Sequence, residues 1–187
     1  MSGYRHLDST VLAEGGFLRM TEDRFAAPDG SEFVRWVVNH PGAVVGVPVT
    51  DDGSVLLVRQ FRAAARDWML ELPAGKLDVP GEEPAAAAAR ELAEEVAHQP
   101  GRLVDLGGFW NSPGFCTEYT HVFLATDLVP CDDGYELKEE ERDMTVERLR
   151  LDDALARIDD GGIADAKTIV GLLRAQRWLN GNGDGAS

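Results

Sequence analysis

The stretch from Gly75 to Ala97 constrains the fold and the chemistry of this chain more than any other segment. It reads GKLDVPGEEPAAAAARELAEEVA. Pro84 stands where a first-turn proline belongs, and the Pro-Gly pair at 100–101 is a stop signal, so the sequence predicts a helix over about 84–98. Small alanines on one side of this helix would allow it to pack closely against a sheet.

Another side of the predicted helix carries three glutamates beside one arginine. Glu91, Glu94 and Glu95 lie within about one turn of each other, directly after Arg90. Like charges three or four residues apart cost roughly a few tenths of a kcal/mol per pair, so the cluster needs an explanation. It is either a solvated acidic face or a set of hard oxygen ligands for Mg²⁺ or Mn²⁺. Spacing alone leaves both explanations open.

The overall charge narrows the range of partners. The chain has 187 residues, enough for one ordinary domain with a small extra subdomain, and a formal net charge of −15. Such an acidic protein is not expected to bind a nucleic acid or an anionic membrane. If the substrate is itself an anion, a bound divalent cation would reconcile it with the charge of the protein.

Targeting signals and cysteine content predict a cytoplasmic protein. The N-terminal residues contain no apolar run of the kind found in signal peptides. The longest uncharged run, at 36–50, is interrupted by Pro41, Gly42 and Pro48 and is too short to span a bilayer. Only two cysteines are present, which suits a reducing compartment. The four histidines are scattered without ligand spacing, so no zinc site is expected.

Runs of β-prone residues alternate with turn signals along the rest of the chain. Residues 10–39 contain three such runs, with a turn at 28–30, and predict a small antiparallel sheet that ends near 40–42. The Asp-Asp-Gly sequence at 51–53 predicts a hairpin between two further strands. The remaining predicted strands are 69–75, 102–111, 119–128 and 144–151, and the remaining predicted helices are 152–159 and 164–179.

This order of elements predicts an α/β protein with a mixed sheet and helices packed on its faces. We expect residues 1–42 to form a small N-terminal antiparallel β subdomain and residues 43–180 to form the main domain. The residues after 180 are rich in glycine, which predicts a disordered tail over 181–187.

The opening stretch resembles the Nudix box, G-x5-E-x7-R-E-U-x-E-E-x-G-U, in which U is an apolar residue. The matching residues, in order, are Gly75, Glu82, Arg90, Glu91, Leu92, Glu94 and Glu95. Six residues rather than five separate Gly75 from Glu82, and Ala97-His98 replaces the closing glycine and apolar residue. The first departure lengthens a loop, where insertions are tolerated, and neither departure removes a carboxylate.

The resemblance covers about residues 10–180 and implies the Nudix fold, an α/β/α sandwich that hydrolyses a nucleoside diphosphate linked to another group. The segments ELPAG at 71–75 and SPGFCTE at 112–118 are similar to those of the ADP-ribose pyrophosphatase group. That group implies hydrolysis of ADP-ribose to AMP and ribose 5-phosphate, and a homodimer that exchanges its N-terminal sheets. The alternatives are another nucleoside diphosphate sugar as substrate, or a non-catalytic module that senses a nucleotide sugar.

The resemblance also implies roles for the residues of the box. The implied ligands of Mg²⁺ or Mn²⁺ are Glu91, Glu94, Glu95 and the carbonyl of Ala74. Arg90 would orient the carboxylates, and Glu82 would anchor the loop to the helix. A general base is expected on a loop outside the box, where the run 137–147 offers Glu139, Glu140 and Glu141, with Glu141 as the first choice. A solvated acidic loop is the alternative for that run.

Four further residues are candidates for binding the substrate: Arg62, Pro113, Glu118 and Trp36. Arg62 would meet the diphosphate, and Glu118 would accept hydrogen bonds from ribose hydroxyls. Trp36 would stack on a base, from the partner subunit, and Pro113 stands near the position that marks the group. A surface cation and a core or interface tryptophan are the alternatives for Arg62 and Trp36.

Overall fold

The computed structural model describes residues 3–131 and 143–182, which divide into two compact units. The first unit contains the residues up to Gly42 together with Trp110–Tyr119. The second contains Ala43–Phe109 and the chain from Thr120 onward. No pattern in the sequence indicates that a segment following the box would join the N-terminal strands.

Three antiparallel strands form the sheet of the first unit, in the order β1 (Arg5–Gly15), β2 (Leu18–Ala26) and β3 (Glu32–Asn39). In the turn before β3, Asp29 Oδ1 accepts a hydrogen bond from the Ser31 N–H at 2.9 Å. Gly30 follows with a φ of 86°, a conformation that favours glycine. The turn therefore forms where the Pro-Asp-Gly signal predicted it.

The segment Trp110–Tyr119 joins this unit through backbone hydrogen bonds to β3. The Val38 N–H donates to the Phe115 carbonyl at 2.7 Å, and the Thr117 N–H donates to the Val38 carbonyl at 2.9 Å. The His40 N–H donates to Thr117 Oγ1, also at 2.9 Å. These long-range bonds leave no local pattern in the sequence, which is why the segment could not be assigned from it.

Within the described residues, the second unit contains two sheets and three helices. Its strands are β4 (Ala43–Pro48), β5 (Ser54–Arg62), β6 (Asp67–Glu71), β7 (Ala74–Lys76), most of β8 (His98–Trp110), most of β9 (Tyr119–Pro130), and β10 (Thr145–Arg150). Its helices are α1 (Pro84–Val96), α2 (Leu151–Asp159) and α3 (Ala166–Asn182). The strand orders are β10-β5-β6 and β7-β4-β9-β8. The strands on either side of residues 51–53 therefore belong to different sheets, and the hairpin predicted there is reduced to an isolated antiparallel bridge between Val49 and Val55. Because β4 runs parallel to β9 and antiparallel to β7, the larger sheet is mixed, as predicted.

Helices cover both faces of the sheets in the second unit. Alternating residues of β4 point to opposite faces. Val44 packs with Ala88 of α1 and Phe123 of β9, whereas Val45 and Val47 share a core with α2 and α3. This is the predicted α/β/α sandwich, in which α1 forms one outer layer and α2 and α3 form the other.

The structure corrects three predicted boundaries. Gly181 and Asn182, predicted as the start of a disordered tail over 181–187, belong to α3, and the rest of that predicted tail lies outside the described residues. The single strand predicted over 69–75 is two strands, β6 and β7, which belong to different sheets. Pro73 lies between them, because it has no N–H to give to a ladder, and its carbonyl accepts a hydrogen bond from the Gly46 N–H at 2.9 Å. The helix predicted over 84–98 ends at Val96, and the Pro-Gly pair at 100–101 lies inside β8. β8 is an edge strand, where proline is tolerated.

Candidate functional site

Helix α1 carries the acidic cluster and is fixed by the burial of one side. Pro84 begins the helix, where its missing N–H costs no hydrogen bond. The buried residues of α1 are Ala87, Ala88, Glu91, Leu92 and Val96. Glu91 is only 9% exposed, and a carboxylate at such a position needs hydrogen bonds or a charged partner.

Arg90 supplies that partner and links three carboxylates. Its Nε and Nη2 donate to the two oxygens of Glu82 at 3.0 and 3.1 Å. This bidentate ion pair joins the loop before α1 to the helix. Arg90 Nη1 donates to Glu91 Oε1 at 2.8 Å and to Glu94 Oε2 at 3.0 Å. The hydrogen bonds to Glu82 raise the pKa of Arg90, and the same bonds lower the pKa of Glu82. The charge of Arg90 offsets the like-charge repulsion within the cluster.

Gly75 packs directly against Glu91, which explains the glycine in the box. A Cβ built at Gly75 would lie 1.9 Å from Cδ and from Oε1 of Glu91. No side chain fits in that space while Glu91 keeps its position. The requirement at Gly75 is therefore space for the carboxylate rather than backbone conformation.

Glu95 connects the helix to the strand segment that precedes the box. Its Oε2 accepts a hydrogen bond from the Ala74 N–H at 3.0 Å. This bond brings the backbone of Ala74 beside the acidic face of α1, which is where a carbonyl ligand was predicted. The carboxylates and Ala74 thus belong to one cluster, built from α1 and from the start of β7.

Arg62 lies beside this cluster, but it binds another carboxylate. Its Nε and Nη2 donate to Glu71 Oε1 and Oε2 at 2.7 and 2.6 Å. Glu71 is completely buried, and its hydrogen bonds raise the pKa of Arg62, with added attraction from Asp165 and Glu95. The predicted contact of Arg62 with a diphosphate stays a prediction.

Sequence reasoning missed Glu71 as a residue of the site. The available signals were its place at the start of the ELPAG segment and a single acidic residue within the apolar run MLEL. Glu71 can be completely buried because it forms a bidentate ion pair with Arg62, and a buried carboxylate is tolerated when it is paired and hydrogen-bonded.

The cluster fits a hard divalent cation by its chemistry, although its side chains are engaged with protein partners. Among residues 3–131 and 143–182, no group of three His, Cys, Asp or Glu side chains is arranged to hold a metal ion. Glu91 and Glu94 bind Arg90, and Glu95 binds a backbone N–H. A cation would have to compete with Arg90 for two of these carboxylates. All the candidate ligand atoms of the cluster are oxygens, which Mg²⁺ and Mn²⁺ prefer.

Trp36, Pro113 and Glu118 belong to the first unit. Trp36 is 61% exposed on β3, and its Nε1 donates to Glu22 Oε2 at 2.9 Å. Pro113 lines a cavity of about 330 Å³ together with Trp110 and Phe115. The Glu118 carbonyl accepts a hydrogen bond from the Asn111 N–H at 3.1 Å. Their roles in substrate binding stay predictions.

The predicted bases Glu139, Glu140 and Glu141 lie outside the described residues. Their assignment therefore rests on the sequence. Among the helices in the described part of the chain, none is long and apolar enough to cross a membrane.

Comparison with known proteins identifies the box and its surroundings. The NUDIX domain model matches residues 40–169. The chain is 42% identical over 149 residues to the ADP-ribose pyrophosphatase of Bacillus subtilis (strain 168), covering 80% of each protein. It is 38% identical over 181 residues to the ADP-ribose pyrophosphatase of Mycobacterium tuberculosis (strain ATCC 25618 / H37Rv), covering 95% of this chain and 86% of that protein.

A solved structure supports the same fold. The crystal structure of an ADP compounds hydrolase matches with a TM-score of 0.83 and 22% identity, over 98% of this chain and 97% of that one. Both the domain match and the similarity to these relatives extend well beyond the acidic helix. The chain is therefore a member of the Nudix hydrolase family.

Proposed function

We propose that this protein hydrolyses the diphosphate bond of ADP-ribose to AMP and ribose 5-phosphate, using Mg²⁺ or Mn²⁺. The observation that carries the proposal is the cluster of three carboxylates on α1, in which Glu91 and Glu94 bind Arg90 and Glu95 binds the backbone N–H of Ala74. The similarity to two ADP-ribose pyrophosphatases supports the choice of substrate.

In this proposal each residue of the cluster has a distinct task. Glu91, Glu94, Glu95 and the carbonyl of Ala74 would hold the cation. A divalent cation bound there polarises phosphoryl oxygens and lowers the pKa of bound water. Arg90 holds the carboxylates in position through Glu82, so that little reorganisation is needed when the substrate binds. Phosphoryl chemistry depends mainly on such positioning and on charge neutralisation.

The remaining roles are assigned from the sequence and from the surroundings of each residue. The base that activates water is proposed among Glu139, Glu140 and Glu141, with Glu141 first. Glu118 and Pro113 would contact the sugar end of the substrate, and Arg62 would meet its diphosphate while it remains paired with Glu71.

The first unit supports the proposal of a homodimer in which residues from about 10 to 40 contribute to the partner's site. A three-stranded sheet is marginal unless its faces are covered. The large apolar residues that are exposed on this sheet are Val11, Leu12, Leu18, Val34 and Trp36. We place the protein in the cytoplasm, because Cys116 and Cys131 are both free.

The proposal is tested by product analysis over a panel of nucleotide sugars with Mg²⁺ and then with Mn²⁺. The panel contains ADP-ribose, ADP-glucose, UDP-glucose and GDP-mannose. We expect the highest kcat/KM for ADP-ribose and loss of turnover in excess chelator. Preference for another sugar would overturn the substrate, and tight binding without any product would favour the sensing module.

Glu95→Gln tests the assignment of the carboxylates. The amide oxygen still accepts a hydrogen bond from Ala74, so the fold should be kept while an anionic ligand is lost. Changes to the groups that merely support a metal ligand already cost about ten- to a hundred-fold, so loss of a ligand should cost more than about a hundred-fold in kcat.

Glu83→Gln is the matched control for Glu95→Gln. Glu83 is the N-cap residue of α1, is exposed and makes no capping hydrogen bond through its side chain. The control removes the same charge and should retain wild-type turnover. Equal turnover in the two variants would remove the acidic cluster from the mechanism.

A further inference from the structure

A buried threonine on α3 is hydrogen-bonded to the segment that carries Ala74. Thr168 is completely buried, and its Oγ1 accepts a hydrogen bond from the Leu72 N–H at 2.9 Å. The same hydroxyl donates to Asp165 Oδ2 at 2.8 Å, so its proton is committed and its lone pair faces the backbone of Leu72. Asp165 Oδ2 also accepts from the Thr168 N–H at 2.9 Å, which caps the first turn of α3.

The side chain of Leu72 is fixed by the same face of α3. A Cβ built at Gly171 would lie 2.6 Å from Leu72 Cδ1, so only a glycine allows the helix to approach this closely. Thr168 and Gly171 are three residues apart and lie on one side of the helix. The helix therefore holds Leu72 twice, through its backbone N–H and through its side chain.

Two other elements hold the residues that follow Leu72. The Pro73 carbonyl accepts a hydrogen bond from the Gly46 N–H of β4 at 2.9 Å. The Ala74 N–H donates to Glu95 of α1 at 3.0 Å. Three consecutive residues are thus bonded to α3, β4 and α1 in turn. A rigid backbone over 72–74 fixes the direction of the Ala74 carbonyl.

We propose that Thr168 is a positioning residue for the cation, because it aims the Ala74 carbonyl from α3, two residues away along the backbone. The proposal rests on the proposed function, since it takes that carbonyl as a ligand. Groups that orient ligands usually change metal affinity by about ten- to a hundred-fold when they are removed. Thr168 contacts neither substrate nor cation in this proposal.

The first experiment measures Mn²⁺ binding to the purified full chain by the EPR signal of the free ion, without substrate. Thr168→Val keeps the shape of the side chain but removes the acceptor for the Leu72 N–H. We expect about tenfold weaker Mn²⁺ binding in Thr168→Val, and affinity close to wild type in Thr168→Ser, which restores the hydroxyl. Unchanged affinity in a folded Thr168→Val, or equal loss in both variants, would overturn the proposal.

Thr21→Val is the matched control. Thr21 is a buried threonine of the first unit, and its Oγ1 accepts a hydrogen bond from Asn39 Nδ2 at 2.9 Å. The control loses the same group at a comparable depth but should keep the wild-type Mn²⁺ affinity. Thermal unfolding by circular dichroism confirms that each variant is folded at the temperature of the binding measurement.

A second measurement needs no variant and decides the question if Thr168→Val does not fold. If the cation binds a carbonyl whose segment is bonded to α3, the coupling is reciprocal, and saturating Mg²⁺ should slow amide hydrogen exchange in the first turn of α3. Exchange in the last turn of α3 should stay unchanged. Identical exchange in the first turn with and without Mg²⁺ would overturn the proposal.

The outcomes separate this inference from the proposed function. If wild-type protein binds Mn²⁺ and Thr168→Val binds it equally well, only the role of Thr168 fails. If Mn²⁺ affinity falls in Thr168→Val but ADP-ribose is not hydrolysed, the positioning role stands and the proposed activity fails. If wild-type protein binds no Mn²⁺ at all, both fail.

Discussion

The acidic cluster of the second unit and the N-terminal sheet of the first unit differ in how their side chains are accommodated. In the cluster and directly beside it, four carboxylates (Glu91, Glu94 and Glu95, and then Glu71) are each hydrogen-bonded to an arginine or to a backbone N–H. In the sheet, several large apolar residues are exposed, among them Val34 at 48% and Trp36 at 61% exposure. In the acidic cluster, hydrogen bonds hold charged side chains that would otherwise repel one another. In the N-terminal sheet, large apolar side chains remain exposed, although a monomer would normally bury them.

The two units differ in how much of a core each has. The second unit buries clusters of apolar residues between its helices and sheets, although Phe61 and Trp68 on its surface stay about half exposed. The first unit exposes apolar area on a sheet that has few buried residues of its own, which include Thr21 and Ala26. An exposed apolar surface of this kind marks an interaction site. A second copy of the chain is the partner that we propose.

Among substitutions in the acidic cluster, Gly75→Ala should cause the largest loss of activity. The new Cβ would occupy the position of the Glu91 carboxylate and push it away from Arg90. We expect a loss in kcat of about a hundred-fold or more, as for loss of a ligand, measured with ADP-ribose at saturating Mg²⁺. The free energy of unfolding should fall by only about 1–3 kcal/mol, because the displaced group is the end of a side chain.

Gly181→Ala is the control for this substitution. Gly181 lies near the end of α3, and no atom lies within 4 Å of the position that a Cβ would take there, so an added methyl group has room. Activity should be unchanged in Gly181→Ala. Wild-type activity in Gly75→Ala would mean that the position of Glu91 does not matter for turnover.

In the N-terminal sheet, Trp36→Ala should weaken the dimer rather than slow the hydrolysis step. Large aromatic residues often contribute about 2 kcal/mol or more to a protein interface when they are truncated to alanine. We expect the dissociation constant of the dimer, measured by analytical ultracentrifugation, to rise by more than about tenfold. Trp68→Ala is the control, since Trp68 of β6 is 47% exposed in the second unit.

The same variant separates the two roles that the sequence allowed for Trp36. An intact dimer with a raised KM for ADP-ribose would assign Trp36 to substrate stacking. An intact dimer with an unchanged KM would contradict both the interface and the stacking role.

Much of the fold was predictable from local signals, and the resemblance of the box implied the pairing of Arg90 with its carboxylates, whereas the roles of these residues in binding and catalysis stay predictions. The turn at Asp29-Gly30 formed as expected, and Arg90 binds Glu82, the residue predicted to anchor the loop. These features depend on residues that are close in sequence or that belong to one motif. The helix α3 was also predicted to within a few residues, because its apolar period is continuous.

The features that could not be predicted depend on contacts between distant segments. β6 and β7 belong to different sheets, although they are separated by only two residues. The burial of Glu71 depends on Arg62 of a neighbouring strand, and the contact of Leu72 with Thr168 joins residues far apart in the chain. No hydrophobic period or turn signal contains such pairings.

Ala97 shows how a departure in the box is accommodated, and it allows the stability of α1 to be tested. Ala97 caps the helix with a φ of 54°, a left-handed conformation, at the position where the box has glycine. Left-handed backbone costs about 1–2 kcal/mol for residues with a Cβ, part of which glycine loses again in chain entropy. We expect Ala97→Gly to raise the free energy of unfolding by about 1 kcal/mol, measured in urea, with unchanged kcat. A lower free energy of unfolding in Ala97→Gly would show that the left-handed conformation of Ala97 does not destabilise the protein.

Glu82→Gln should have the smallest effect and should depend on pH. The two hydrogen bonds from Arg90 lower the pKa of Glu82 below its ordinary value of 4.5. A carboxylate with a lowered pKa in the folded state stabilises the fold at pH values above its unfolded pKa. That stabilisation is lost as the pH falls through the lower, folded pKa. The wild-type protein should therefore exceed Glu82→Gln in stability by roughly 0.5 kcal/mol at neutral pH, and this difference should shrink below about pH 4. Urea unfolding between pH 3 and pH 7 measures it, with the exposed neighbour Glu83→Gln as the control for loss of charge. A constant difference across this pH range would show that the ion pair with Arg90 does not contribute to stability, and that the loop is held to α1 by packing alone.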